Sequence, residues 1–156
     1  MRQTARALTM TIAAAAVGTL VAAGGAGGAA AKPGGVPAIP LNAAQETSDV
    51  ASDGSGFFSY TVDGATLCYT LEVRDMTAAP IAAHIHLGAR NVAGGIVVGL
   101  TTPPAATSTV SACITATEGG NLTPAELAAI VADPGSYYVN VHTPLYPAGE
   151  IRGQLK

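Results

Sequence analysis

The sequence has no tryptophan, two phenylalanines and five tyrosines, and only 11% of its 156 residues are charged. A globular domain usually carries about 25% charged residues. The core must therefore be aliphatic, made of Val, Ile and Leu with a few rings. Seven basic residues face ten acidic ones, without any cluster of Lys or Arg. That excludes phosphate-backbone binding, so no nucleic-acid partner is expected. There is no polybasic run to hold a membrane surface. No Gly-x-Ser-x-Gly elbow and no Gly-rich loop between a strand and a helix is present, which removes serine-hydrolase and nucleotide-binding chemistry. No pair of acids stands at a spacing that identifies glycoside chemistry. Without a nucleophile constellation the chain reads as non-enzymatic.

The N-terminus explains part of this composition. Arg2 and Arg6 precede an uncharged stretch from Leu8 to Ala23, and Ala29-Ala30-Ala31 is a small-residue cleavage pattern. Residues 1–31 thus read as a Sec-type signal peptide, with Lys32 first in the mature chain. The apolar stretch is short and rich in Ala, Gly and Thr, whereas a membrane anchor needs about 20 apolar residues. A secreted protein with no stable membrane span after processing is expected. Residues 32–40, rich in Gly and Pro, read as a flexible tether, and residues 41–156 as the folded domain.

Within that domain the pattern is β. Leu41–Glu46 reads as a first strand. Phe58, Tyr60 and Val62 alternate onto one face, and Asp63-Gly64 predicts a tight hairpin. In the returning strand Leu67, Tyr69, Leu71 and Val73 face one way, with Cys68, Thr70, Glu72 and Arg74 opposite. Further strands are read at 81–88 and at 96–100, the second short and apolar, and alternation recurs over 107–117, 137–143 and 149–155. One helix interrupts it. Thr123-Pro124-Ala125-Glu126 is a capping box with Pro at the first helical position, followed by an apolar stripe of Leu127, Ile130 and Val131. Asn121-Leu122-Thr123 fits a glycosylation sequon, set aside because Thr123 serves as the cap. The expected fold is all-β, an antiparallel sandwich or Greek-key-like barrel of about eight strands with one short connecting helix.

Cysteine and histidine are scarce, with two and three residues. In an exported chain Cys68 and Cys113 read first as a disulfide. His84 and His86 are two apart on a strand, so both side chains share one face and Ile85 takes the other. Such a pair is a two-ligand platform, and imidazole suits copper and zinc. His142 lies on the polar face of a later strand, where it would complete a three-histidine set with an open fourth position. The competing reading has these histidines bonded to backbone carbonyls or to a carboxylate such as Glu150. Glu150 and Arg152 share a face of the last strand. They either pair with each other or present a ligand contact, unless Arg152 fixes a carboxylate or a carbonyl inside the fold.

Several stretches together resemble the CHRD domain, named from chordin. They are LNAAQE at 41–46, LCYTL at 67–71, AHIHLG at 83–88, YVNVHT at 138–143 and GEIRGQL at 149–155. The resemblance singles out Tyr138, Asn140, Thr143, Glu150, Arg152 and Gly153. It implies an antiparallel β-sandwich in an extracellular or cell-surface setting. The leading functional expectation is a non-enzymatic binding or scaffolding role toward an extracellular protein or surface ligand. The 88–95 loop reads GARNVAGG where many members carry Asn-Gly-Pro. A second similarity is to copper-zinc superoxide dismutase, also an eight-stranded sandwich with an H-x-H strand and a disulfide. Its two-metal site needs more histidines than this chain has. The alternative function is therefore a single copper or zinc site at His84, His86 and His142.

Overall fold

A computed structural model describes residues 38–156. The leader read at 1–31 and residues 32–37 of the tether lie outside the described residues. Among the described residues the strands are β1 (Ile39–Asn42), β2 (Ser55–Asp63), β3 (Thr66–Arg74), β4 (Ala82–Leu87), β5 (Ile96–Gly99), β6 (Ser108–Thr115), β7 (Tyr137–His142) and β8 (Ile151–Gln154), with one α-helix, α1 (Pro124–Ala132). All eight join in one antiparallel sheet, ordered β5-β4-β7-β8-β1-β2-β3-β6, which curls into a half-barrel. The curl follows from the core. Residues of one face, from Val98 on β5 to Leu67 and Leu71 on β3, form a single buried cluster. Residues this far apart in the strand order can share one core only if the sheet folds over on that face. Leu127 and Ile130 of α1 add to the cluster.

Most sequence readings hold locally. Thr123 Oγ1 accepts from Glu126 N while the Glu126 carboxylate accepts from Thr123 N, the reciprocal capping expected. Cys68 and Cys113 stand directly opposite each other on β3 and β6 and are disulfide-bonded. The bridge spans 45 residues, so the Cys68→Ser/Cys113→Ser variant should lose about 4 kcal/mol in the chain-entropy account. Chemical denaturation against the oxidised protein measures this.

Four readings need correction. Strand β1 begins at Ile39, which the tether had absorbed; Ile39 is buried and pairs with Phe58. The chain then leaves the ladder at Ala43–Gln45, a 3-10 turn where a strand was expected. The hairpin turns on Gly64-Ala65, one residue late, because Asp63 still pairs with Thr66. Val131 is exposed, since only Leu127 and Ile130 face the sheet. The Asn121 carboxamide accepts from Gly99 N and donates to Gly99 O, at 2.9 and 2.8 Å, in place of a neighbouring strand along β5. Among the described residues no helix is long and apolar enough to cross a membrane.

Candidate metal centre

The polar face of strands β4, β7 and β8 is itself buried. His86, Tyr138, Asn140, His142, Arg152 and Gln154 all lie there, and each is less than a tenth exposed. Strand pairing brings them together from distant parts of the chain. His84 is opposite Asn140, His86 opposite Tyr138, and Asn140 opposite Arg152. Two loops cover the layer through backbone carbonyls. From the 88–95 loop, Val92 O and Ala89 O accept from Arg152 at 3.0 and 2.8 Å, and Gly88 O accepts from Gln154 Nε2 at 2.8 Å. The Gly94 amide donates to the Tyr138 hydroxyl. This loop is thus the lid of the layer.

Arg152 and Glu150 do not pair. The Arg152 guanidinium lies 3.3 Å from the centroid of the Tyr138 ring, with its hydrogen bonds on the loop carbonyls, a desolvated cation–π arrangement. Glu150 is fully buried and accepts from Ser52 Oγ, Thr77 N, Thr77 Oγ1 and Thr143 Oγ1, at 2.6, 2.8, 2.6 and 2.5 Å. Burial alone would raise its pKa; the hydrogen bonds outweigh burial and hold it below the ordinary value. Thr143 and Glu150 are therefore a structural tie between loops. Gly153 has an equally local reason. A Cβ there would sit 2.7 Å from Pro40 O and 3.0 Å from the Ile39 side chain, so a larger residue would push β1 off β8.

The three histidines converge. One ligand nitrogen of each lies within 4.8 Å of the others. His84 Nδ1 is 3.0 Å from His142 Nε2. His142 Nδ1 donates to Pro147 O and His86 Nδ1 donates to Gly94 O, both at 3.0 Å. A carbonyl can only accept, so each of these rings carries its proton on Nδ1 and turns a lone pair outward on Nε2. Carbonyls in this role fix the tautomer of metal-binding histidines. His142 Nε2 then accepts from His84 Nδ1–H. His86 Nε2 is buried without any partner. His86 also stacks on Tyr138, 4.8 Å between centroids. Burial pushes all three imidazoles below their ordinary pKa, with His86 adding to the effect at His84, and His84 and His86 adding at His142. At His86 the Gly94 carbonyl and Asn140 pull the other way. The rings are accordingly neutral at pH 7, the form that binds metal. Nitrogen ligands of a tetrahedral ion at about 2.0–2.1 Å stand about 3.3 Å apart, a spacing that side-chain shifts of about 1 Å would give this set.

A family model described as CHRD domain matches residues 38–155. The chain belongs to the CHRD domain family. The match takes in all eight strands, and of the residues that the resemblance singled out Tyr138, Asn140 and Arg152 lie in the buried polar layer, Thr143 and Glu150 in the loop tie, and Gly153 against β1. No curated protein and no solved structure matches the CHRD chain.

One participant escaped the sequence reading. Glu46, just after the 3-10 turn, is pushed up from 4.5 to about 7, chiefly by burial, against the pull of the Arg152 charge and hydrogen bonds from Asn140 and Thr47. Its Oε1 has no hydrogen-bond partner of good geometry. No pattern in LNAAQE marks this burial; it arises because Gly149, at φ +132, lets the covering loop pass where a Cβ would strike both Glu46 Oε1 and Asn140 Nδ2. The unfolded chain loses the Glu46 proton near 4.5 and the folded protein near 7. Stability associated with this group is thus full below pH 4.5 and declines up to pH 7. Glu46→Gln should remove that decline and gain about 1–2 kcal/mol over wild type at pH 7.5, discounted for solvent screening of a partly exposed group. Urea titrations of both proteins at pH 4.5 and 7.5 measure it.

Proposed function

We propose that this CHRD-domain protein holds one copper or zinc ion outside the cell, through His84, His86 and His142, without enzymatic activity of its own. The convergence of three neutral imidazoles, one with a buried and unpartnered Nε2, carries the reading. A buried polar atom without a partner costs about 1–3 kcal/mol, and an ion on that lone pair would offset the cost. The Cys68–Cys113 bridge supports export to an oxidising compartment, as does the leader-like N-terminus. The expected non-enzymatic binding role outside the cell is kept, with a metal ion as the ligand. Three histidines limit the site to one ion, unlike the two-metal centre of copper-zinc superoxide dismutase.

Equilibrium dialysis of the oxidised chain from Lys32 onward against Cu²⁺ or Zn²⁺ tests the proposal. One ion per chain is expected. Because the imidazole pKa values lie below 6.5, affinity should be steady above pH 6.5 and fall as protons compete at lower pH. Absence of uptake at pH 7.5 would remove the proposal.

A further inference from the structure

The three imidazoles leave a fourth position, and what fills it decides whether the site is open or closed. Asn140 occupies the strand position opposite His84 and stands between Tyr138 and His142 on the same face. Its side chain lies within hydrogen-bonding reach of His86 and raises the pKa of that ring. Asn140 is 2% exposed. Its Nδ2 donates to Ala148 O at 3.4 Å, and its side chain hydrogen-bonds Glu46. Its Oδ1 has no partner, and neither has His86 Nε2. Both atoms are acceptors: His86 has its proton on Nδ1, and a carboxamide oxygen carries none. Two buried acceptors cannot satisfy each other. They need a cation, or a donor such as water, near both.

We propose that Asn140 Oδ1 is the fourth ligand, closing the site as three nitrogens and one oxygen, and that Glu46 is a positioning residue that holds the carboxamide by accepting from Nδ2. The inference rests on the three-histidine metal reading and adds to it. A site with four protein ligands is the structural kind, whereas catalytic zinc sites keep a water in the fourth position. Closure by Asn140 therefore explains how a three-histidine set serves binding without hydrolytic chemistry. The carboxamide oxygen is also a harder donor than imidazole, which favours Zn²⁺ or Cu²⁺ over Cu⁺.

The test uses Co²⁺ as a visible probe for the Zn²⁺ site in the mature, oxidised protein. Wild type should take up one Co²⁺ with a four-coordinate spectrum that azide leaves unchanged. Asn140→Ala should weaken Co²⁺ binding at least about 10-fold, the least that loss of even a supporting contact costs at a metal site, and its spectrum should then respond to azide. Asn140→Asp keeps an oxygen in place and should restore both affinity and azide resistance; it also guards against an Ala variant that fails to fold. Glu46→Ala should weaken binding, while Glu46→Gln, which keeps an acceptor, should not. A wild-type spectrum that shifts with azide would place an exchangeable water in the fourth position and overturn the inference, leaving the metal reading intact. So would an Asn140→Ala protein that binds and absorbs like wild type. Failure of wild type to bind Co²⁺ at all would overturn the metal reading and this inference together.

Discussion

Glu150→Ala should cost about 3–4 kcal/mol of stability at pH 7, more than a typical single substitution in a domain of this size. The carboxylate is fully buried and takes four hydrogen bonds, from Ser52, Thr143 and two atoms of Thr77. Removing it leaves the Thr77 amide and three hydroxyls without their charged acceptor and opens a cavity among three loops. Glu150→Gln keeps the shape and should lose less, about 1–2 kcal/mol, because the hydroxyls can rotate to accept from the amide. The pH dependence has the opposite sign to that of Glu46. The folded pKa of Glu150 lies below the ordinary 4.5, so its contribution is present above pH 4.5 and disappears as pH falls through the folded value. Denaturant midpoints of both variants at pH 7 and pH 3.5 measure the effect. A Glu150→Ala protein within 1 kcal/mol of wild type at pH 7 would contradict the account of this tie (a gap of about 1 kcal/mol being ordinary for any substitution).

His84→Ala should abolish tight metal binding while sparing the fold. His84 is the least buried of the three histidines, and its ring contacts the other two rather than a loop carbonyl. Losing one of three imidazoles should lower affinity by about 100-fold or more, above the range seen for outer contacts. His142→Ala and His86→Ala should show the same loss together with lower stability, since their Nδ1 groups also hold Pro147 and Gly94. The order of effects separates the two roles. Affinity falls in all three variants, and stability falls chiefly in the two that tether loops. Isothermal titration with Zn²⁺ beside thermal melts reads both quantities. Unchanged affinity in His84→Ala would remove that residue from the site.

Local features of this domain were legible in the sequence because they depend on near neighbours. Alternation in 67–73 put Leu67, Tyr69, Leu71 and Val73 in the core. The capping box at Thr123 and the shared face of His84 and His86 follow from period and spacing alone. The disulfide followed from compartment and cysteine count. Assembly of the site depends on which strands are neighbours, and order along the chain does not reveal that. Strand β8 ends up between β7 and β1, and β4 pairs with β7, whose His142 is 58 residues from His84. Only this pairing joins His142 to the H-x-H strand. The carbonyls of Gly94 and Pro147 that orient the rings belong to the backbone, so no residue type announces them. Glu46 was hidden for a similar reason, because its environment is supplied by Arg152, Asn140 and the loop at Gly149. The reading of Glu150 with Arg152 as a pair failed because two charges on one strand face can each find better partners across the sheet. Arg152 has Tyr138 and the loop carbonyls, and Glu150 has its four donors.

The most direct test of the central claim is X-ray absorption at the metal edge of the zinc- or copper-loaded protein. The account predicts one ion per chain with three imidazole nitrogens at about 2.0–2.1 Å, and loss of imidazole scattering in the His84→Ala sample. A first shell of oxygens without imidazole, or a wild-type spectrum indistinguishable from the ion in buffer, would contradict it.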